Sequence, residues 1–271
     1  MPRLLRMVAL AAAPLVLAGG LVATAPAPDA LAAIDAAFEA AKVLDLRFDG
    51  DLADSGPRGT AVTMQKGDAA FSEGARGEAF AFSGSSAISL GTPAYLQPSS
   101  LTASFWFKPS GAMTGEQVFS WSKTVYNSDG WYLTSASDST PLALSIGPGG
   151  SQPYQVAVDA PRADFFPADA WTHVVATYDP ATKAVAFYRN GELQPSTVKF
   201  PASGLSTGVL GSEATSTKTL GFNGPTYNGS HVKGLLDDYR LYEAVDRCGE
   251  LLEQRRLLGG VGRGRVGLRE R

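Results

Sequence analysis

The residues best suited to chemistry are aspartates near the two ends of the central part of the chain. Asp49, Asp51 and Asp54 lie in the segment FDGDLADSG, and Asp237 lies beside Asp238 close to the last strand-like segment. If folding brings these segments together, their carboxylates repel one another, and a Ca²⁺ ion relieves that repulsion because it requires hard oxygen ligands. In the alternative, the same aspartates cap turns through their own backbone. The spacing does not match an EF-hand loop.

Two predicted loops combine aromatic rings with amide and carboxylate groups, the side chains that stack on sugar faces and bind sugar hydroxyls. The first loop contains Tyr126, Asn127, Asp129 and Trp131, and the second contains Asn223, Tyr227, Asn228 and His231. The sequence therefore offers two candidate ligand sites. Exposed polar loops also carry such residues without any ligand, and this alternative stays open.

Composition restricts the class of protein. Only 18% of the 271 residues are charged, and the 30 Gly and 17 Pro are typical of strands and turns, which excludes a helical bundle. Apolar residues make up 44% of the chain, enough for one sizeable core. A single Cys and two His leave no disulfide framework and little for a Cys- or His-rich metal or redox centre.

The formal net charge of −3 is unevenly distributed. Residues 1–27 carry +2 and residues 254–271 carry +5, so residues 28–253 carry −10. This acidic part repels phosphate backbones, so we expect no nucleic-acid partner, while cation binding is favoured.

The two ends of the chain differ from the rest. Residues 1–7 hold two Arg, and residues 8–25 are almost wholly apolar, which predicts a secretory signal peptide over 1–32, although a membrane anchor is the alternative. We expect a linker over 33–42, a globular domain over 43–245 and a basic, Gly- and Arg-rich tail over 246–271, which is disordered or a product of a shifted reading frame. The mature protein is predicted to be extracellular, at the cell surface or, alternatively, periplasmic, without stable membrane insertion.

Apolar residues alternate with period two along most of the central part, which indicates half-buried strands. Two helical stretches are predicted, over 30–42 and 244–258, and Asn190-Gly191 predicts a tight hairpin turn. The predicted strands are 43–48, 79–82, 87–90, 103–108, 117–122, 130–134, 142–146, 154–158, 172–178, 184–189, 219–222 and 234–242, with a short segment at 192–194. About a dozen strands without intervening helices favour an all-β antiparallel sandwich or jelly roll.

Five segments together resemble the laminin G-like jelly-roll domains of the concanavalin A-like lectin/glucanase superfamily. In order they are LDLRFDGDLADSG (44–56), AFSGSSAISLG (81–91), SLTASFWFKPSG (100–111), WTHVVATYDPATKAVAFYRNGEL (171–193) and GLLDDYRLYEAV (234–245). The resemblance implies two curved antiparallel sheets face to face, with the first and last strands near each other. Many such domains bind calcium, and the resemblance implies Asp49, Asp54 and Asp237 as ligands.

Other residues in these segments are expected to be structural. Trp106 and Trp171 are interpreted as core or rim aromatics that close the space between the sheets, with sugar-stacking platforms as the alternative. His173 is interpreted as a packed, hydrogen-bonded histidine, with a catalytic role as the alternative. Arg240 is expected to bridge strands through a carboxylate.

Catalytic patterns are missing from the sequence. Glucanases of this superfamily carry Glu-x-Asp-x-x-Glu on one strand, and neither that run nor a Gly-x-Ser-x-Gly elbow occurs here. The sequence therefore predicts a secreted, non-catalytic binding or adhesion module, with carbohydrate as the ligand. One alternative is a structural or protein-interaction domain at the cell surface, and a second is a carbohydrate-active enzyme.

Overall fold

The computed structural model describes residues 36–123, 129–147, 153–200, 216–223 and 231–245. The predicted signal peptide, the basic tail and the predicted helix beyond residue 245 lie outside these residues. A helix, α1, spans 36–40, and a second, α2, spans Arg162–Phe165, with a 3-10 turn at Ala94–Leu96. The strands are β1 Lys42–Leu46, β2 Thr63–Lys66, β3 Phe71–Glu73, β4 Glu78–Ser83, β5 Ala87–Ser89, β6 Leu101–Pro109, β7 Gln117–Trp121, β8 Trp131–Ser135, β9 Ala143–Ile146, β10 Tyr154–Val158, β11 Thr172–Asp179, β12 Ala184–Arg189, β13 Glu192–Leu193, β14 Ser196–Phe200, β15 Thr219–Leu220 and β16 Lys233–Tyr242.

Within the described residues, the strands form two antiparallel sheets of eight strands each. The first sheet has the order β13-β12-β11-β6-β16-β4-β3, with β1 paired to β16, and the second has the order β14-β10-β9-β8-β7-β15-β5-β2. The predicted all-β, two-sheet antiparallel jelly-roll sandwich is confirmed. In the described part of the chain, no helix is both long and apolar enough to cross a membrane.

The core lies between the two sheets and is built by alternation along each strand. In β6, Phe105 and Phe107 point inward and are fully buried, and both pack against the ring of Phe119 from the second sheet. Trp106, between them, points to the opposite side and lies 4.9 Å from the ring of His173. Trp106 therefore lies on the outer face of the first sheet, and the expectation that it closes the space between the sheets is corrected.

The first and last strands are neighbours, as expected. Asp45 of β1 lies opposite Arg240 of β16, and Arg240 donates to the Asp45 carboxylate at 3.0 Å and to the Asp238 carboxylate at 2.7 Å. The side chain of Arg240 thus bridges two strands through two largely buried carboxylates. The predicted hairpin is also present, because Asn190 and Gly191 both adopt positive φ between β12 and β13.

Candidate functional site

The turn between β3 and β4 holds the acidic residues of both chain ends. Asp49 accepts the backbone N–H of Glu78 at 3.0 Å, and Asp237 accepts the backbone N–H of Arg76 at 2.9 Å. This close approach requires glycine in the turn, since a Cβ atom at Gly77 would overlap the Asp49 carboxylate. The fold therefore brings one predicted ligand from each end of the domain to the four-residue turn 74–77 and the first residue of β4.

The second oxygen of Asp237 has no partner. Asp237 is fully buried, its Oδ1 accepts no hydrogen bond, and burial together with the charge of Asp238 raises its pKa to about 6. Asp238 is also buried, lacks a hydrogen bond at Oδ2 and has a φ of 51°, which is uncommon for a residue other than glycine. Buried carboxylate oxygens without donors are costly, and a cation beside them would remove that cost.

Asp54 is engaged differently. Its Oδ1 accepts the N–H groups of Asp45 and Gly56 at 2.9 and 2.8 Å, and its Oδ2 accepts the N–H of Thr60 at 2.7 Å. These contacts match the turn-capping alternative. Among the residues that the structure describes, no group of three or more His, Cys, Asp or Glu side chains is placed to hold a metal. Calcium ligation by Asp49, Asp54 and Asp237 stays a prediction.

The second sheet presents a polar, aromatic face on the side away from the core. We call this side the polar face, and strand pairing places on it the residues Ser89, Val118, Trp121, Tyr132, Thr134, Ser145, Gln155 and Thr219. The rings of Trp121 and Tyr132 contact each other in a tilted arrangement, with centroids 4.8 Å apart and an interplanar angle of 36°, and form, with Val118, an apolar cluster separate from the main core. The Lys123 ammonium lies 5.4 Å from the Tyr132 ring.

A bulge in β7 turns Trp121 onto the polar face. The pairing of β7 with β8 shifts between Val118 and Ser120, so Phe119 packs in the core while Val118 and Trp121 both lie on the other side. Without the bulge, Trp121 would follow Phe119 into the core, because side chains alternate along a regular strand.

Hydrogen-bonding atoms without partners lie on and beside the polar face. The Thr134 hydroxyl is buried and unpaired, as are Oδ1 of Asn223 and Nε2 of His231. Thr219 of the polar face donates its hydroxyl to the carbonyl of Phe222, whose ring stacks on His231 at 4.7 Å. Burial and the charge of Lys66 lower the pKa of His231, so its ring is neutral at neutral pH. These atoms are able to bind ligand hydroxyls.

His173 lies on the outer face of the first sheet and is packed and hydrogen-bonded, as the sequence indicates. Its Nε2 is 3.1 Å from the Ser104 hydroxyl, and its ring contacts Trp106. Burial, together with the positive charges of Arg76 and Arg240, lowers the pKa of His173 from 6.5 to about 4.

This shift predicts a pH dependence of stability. Between pH 6.5 and about 4, His173 is protonated in the unfolded chain but not in the folded chain. The free energy of unfolding therefore falls as the pH falls through this window. His173→Gln is expected to lose less stability than the wild type across this window in urea denaturation series. The raised pKa of Asp237 acts in the opposite direction in both proteins and cancels in the comparison. Parallel pH curves for the two proteins would contradict this assignment.

A comparison of the sequence with models of known protein families identifies the family of this chain. The family model of laminin G-like domains described as the concanavalin A-like lectin/glucanases superfamily matches residues 82–245, more than half of the chain. The chain belongs to the laminin G-like family. No curated protein matches the sequence of this laminin G-like domain.

Solved structures share the fold of this laminin G-like domain. Domain 4 of AbnA, a GH43 extracellular arabinanase from Geobacillus stearothermophilus in complex with arabinotriose, is 22% identical with a TM-score of 0.54, covering 79% of this chain and 97% of that chain. A structure of botulinum neurotoxin type C, whose cell entry is described as dependent upon interaction with two ganglioside molecules, is 15% identical with a TM-score of 0.59, covering 82% of this chain and 53% of that chain. The binding domain of botulinum neurotoxin DC in complex with rat synaptotagmin II is 14% identical with a TM-score of 0.55, covering 83% and 53%. This chain spans about half the length of the two neurotoxin chains.

The predicted loop clusters of the laminin G-like domain are only partly described. Tyr126, Asn127, Tyr227 and Asn228 lie outside the described residues. Asp129 directly precedes the turn into β8, and Asn223 lies beside the polar face with its unpaired oxygen.

Trp131 differs from its prediction. It packs in the main core and donates its indole N–H to the carbonyl of Leu96 at 3.2 Å, so neither ring face is presented to a loop ligand. Its neighbour Tyr132 faces the opposite way, next to Trp121, and neither of these two residues was singled out from the sequence. The pattern of β8, with Trp131 and Leu133 apolar against Tyr132 and Thr134, is the signal that places Tyr132 outside the core.

Proposed function

We propose that this chain is a secreted, non-catalytic carbohydrate-binding module, and that the polar face of the second sheet is its binding site. The observation that carries the proposal is the contacting pair of aromatic rings, Trp121 and Tyr132, on the side of the sheet away from the core. Aromatic rings bind the C–H faces of sugar rings, and their edges leave room for hydrogen bonds to hydroxyls.

The neighbouring polar atoms support a saccharide over a purely apolar ligand. Thr134, Asn223 and His231 each hold a buried atom without a hydrogen-bond partner. A hydroxyl-rich ligand satisfies such atoms, whereas an apolar ligand leaves them unpaired at a cost of about 1–3 kcal/mol each. Trp121 and Thr134 are only 3% and 1% exposed in the ligand-free protein, so a saccharide reaches them only when the groups that cover this face move aside.

Structural neighbours are consistent with this choice of ligand. One neighbouring domain is described in complex with arabinotriose and another protein as dependent on gangliosides for cell entry. A third is described in complex with rat synaptotagmin II, so a protein partner stays the alternative for this chain.

A glycan array tests the proposal. We expect the full chain to bind a defined set of saccharides, and arabinotriose is the first soluble ligand to titrate. Reducing-sugar release from a polysaccharide panel would instead support the enzyme alternative. Absence of sugar binding, combined with specific binding to a cell-surface protein, would support the protein-interaction alternative and contradict ours.

We further propose that a structural Ca²⁺ ion binds at the turn 74–77 between β3 and β4, which we call the acidic turn because Asp49 and Asp237 lie against it. Asp237 and Asp49 would be its ligands, with Asp54 stabilising the adjoining loop or contributing an oxygen. The unpaired Oδ1 of Asp237 fits this role. When bound, the ion would neutralise the buried carboxylates and tie the two ends of the domain together.

Calcium is expected to raise the melting temperature relative to a chelator. An ion that binds only the folded state adds about 2.7 kcal/mol of stability at a hundredfold excess over its dissociation constant. Asp237→Asn should abolish the calcium shift, whereas Asp138→Asn should retain it because the Asp138 side chain is 94% exposed. Identical melting curves of the wild type in calcium and in chelator would refute the calcium site.

A further inference from the structure

We propose that Arg76 is a built-in counter-ion of the acidic turn, which competes with a divalent cation for the Asp237–Asp238 pair. This proposal rests on the proposed calcium site and concerns the residue that sets its affinity. Arg76 contacts both acids, since its backbone N–H donates to Asp237 Oδ2 at 2.9 Å and its guanidinium Nη1 lies 3.7 Å from Asp238 Oδ2.

Oxygens beside Arg76 remain incompletely satisfied. Asp237 and Asp238 are 0% and 6% exposed, and Asp237 Oδ1 and Asp238 Oδ2 accept no hydrogen bond. At 3.7 Å the Arg76 guanidinium lies beyond hydrogen-bond distance, so it supplies charge to the pair without a directed bond. A divalent ion would supply both the positive charge and direct bonds to these oxygens.

The second arginine at this site has a different role. Arg240 donates to Asp45 and to the other oxygen of Asp238, and its side chain is only 23% exposed. The Arg76 side chain is 69% exposed. Arg76 is therefore the cation able to leave at small cost, while Arg240 stays in place between the strands.

Competition follows from charge. The positive charge of Arg76 acts electrostatically on nearby groups, since it contributes to the lowered pKa of His173. A Ca²⁺ ion beside Asp237 would face this like charge and either bind more weakly or displace the guanidinium. Without the ion, Arg76 partly neutralises the two carboxylates. The residue thus stabilises the ion-free turn and weakens the ion-bound one.

Arg76→Ala and Arg76→Gln test the proposal, because both keep the backbone N–H that binds Asp237. Isothermal titration of the full chain with calcium chloride is expected to show up to about fivefold tighter binding in both variants, which is the value of an exposed ion pair of up to about 1 kcal/mol. In chelator, both variants should melt below the wild type. Lys199→Ala is the matched control, since it removes one positive charge paired with Asp159 in the second sheet.

The outcomes separate this inference from the calcium site itself. Calcium binding by the wild type, with unchanged or weaker affinity in both Arg76 variants, would overturn the role of Arg76 and leave the site intact. Tightening of equal size in Lys199→Ala would also overturn it, since the effect would then come from net charge alone. Flat titrations and unshifted melting in every variant would refute the calcium site together with the inference.

Discussion

Replacing Trp121 with alanine is expected to weaken saccharide binding by about thirtyfold or more, which corresponds to a loss of about 2 kcal/mol or more at a central aromatic contact. The reason is that Trp121 and Tyr132 form the aromatic part of the polar face. The measurement is calorimetric titration with the best saccharide from the array. Trp106→Ala is the matched control, because Trp106 lies on the outer face of the other sheet, beside His173.

A subtler substitution keeps this prediction testable if Trp121→Ala folds poorly. Thr134→Val preserves the shape of the side chain and removes a buried hydroxyl that has no partner. The free protein should therefore become slightly more stable while its affinity for saccharide falls, because the hydroxyl serves the ligand and not the fold. Unchanged affinity in Thr134→Val and in Trp121→Ala would remove the polar face from the binding site.

Arg240→Met is expected to lower the free energy of unfolding by about 3 kcal/mol, because it removes the hydrogen-bonded cation of two buried carboxylates and leaves Asp45 only Lys42 at 3.2 Å and Asp238 only Arg76 at 3.7 Å. The measurement is urea denaturation at neutral pH. Adding Asp238→Asn to this variant should restore part of the loss, since it removes a buried charge that would then have only the distant Arg76 guanidinium beside it, and Asn tolerates a positive φ.

The control for Arg240 is a pair of the same kind at the surface. Lys199 and Asp159 are each 35% exposed, and Lys199→Met should cost no more than about 1 kcal/mol. Equal losses for the two substitutions would show that the Arg240 bridge is energetically an ordinary surface ion pair.

The sequence predicts those strands in which apolar residues alternate and one face is deeply buried. The alternation of β6 and β16 correctly places their apolar residues in the core, and Asn190-Gly191 correctly places a hairpin. The sequence did not reveal β2, β3 and β14, and all three are edge strands. Edge strands bury little of either face, so they lack the apolar alternation on which the prediction depends.

The candidate binding face was hidden from the sequence for a different reason. A regular strand over β7 would place Trp121 in the core with Phe119, and only the bulge turns it outward. The sequence groups Trp131 with the polar loop residues Tyr126, Asn127 and Asp129, whereas the structure packs it in the core. Bulges depend on pairing with the neighbouring strand, and one strand's residues do not reveal them.

The acidic residues at the two ends of the domain are brought together by pairing between strands that are far apart in the sequence. The approach of Asp49 and Asp237 was inferred from the expected neighbourhood of the first and last strands, and the pairing of β1 with β16 is present. The sequence does not indicate the part played by the turn 74–77 and by Glu78. These residues act through backbone N–H groups, which every residue type except proline carries. Arg76 and Glu78 act there through their amides.

The most direct test of the binding face is an NMR titration with the saccharide that binds best. The chain has four tryptophans, so four indole N–H signals report on four separate places, and single Trp→Phe variants assign them. We predict that the Trp121 signal shifts on binding while those of Trp106, Trp131 and Trp171 stay nearly unchanged. A titration in which Trp106 or Trp171 shifts and Trp121 does not would place the ligand on the first sheet and contradict the account.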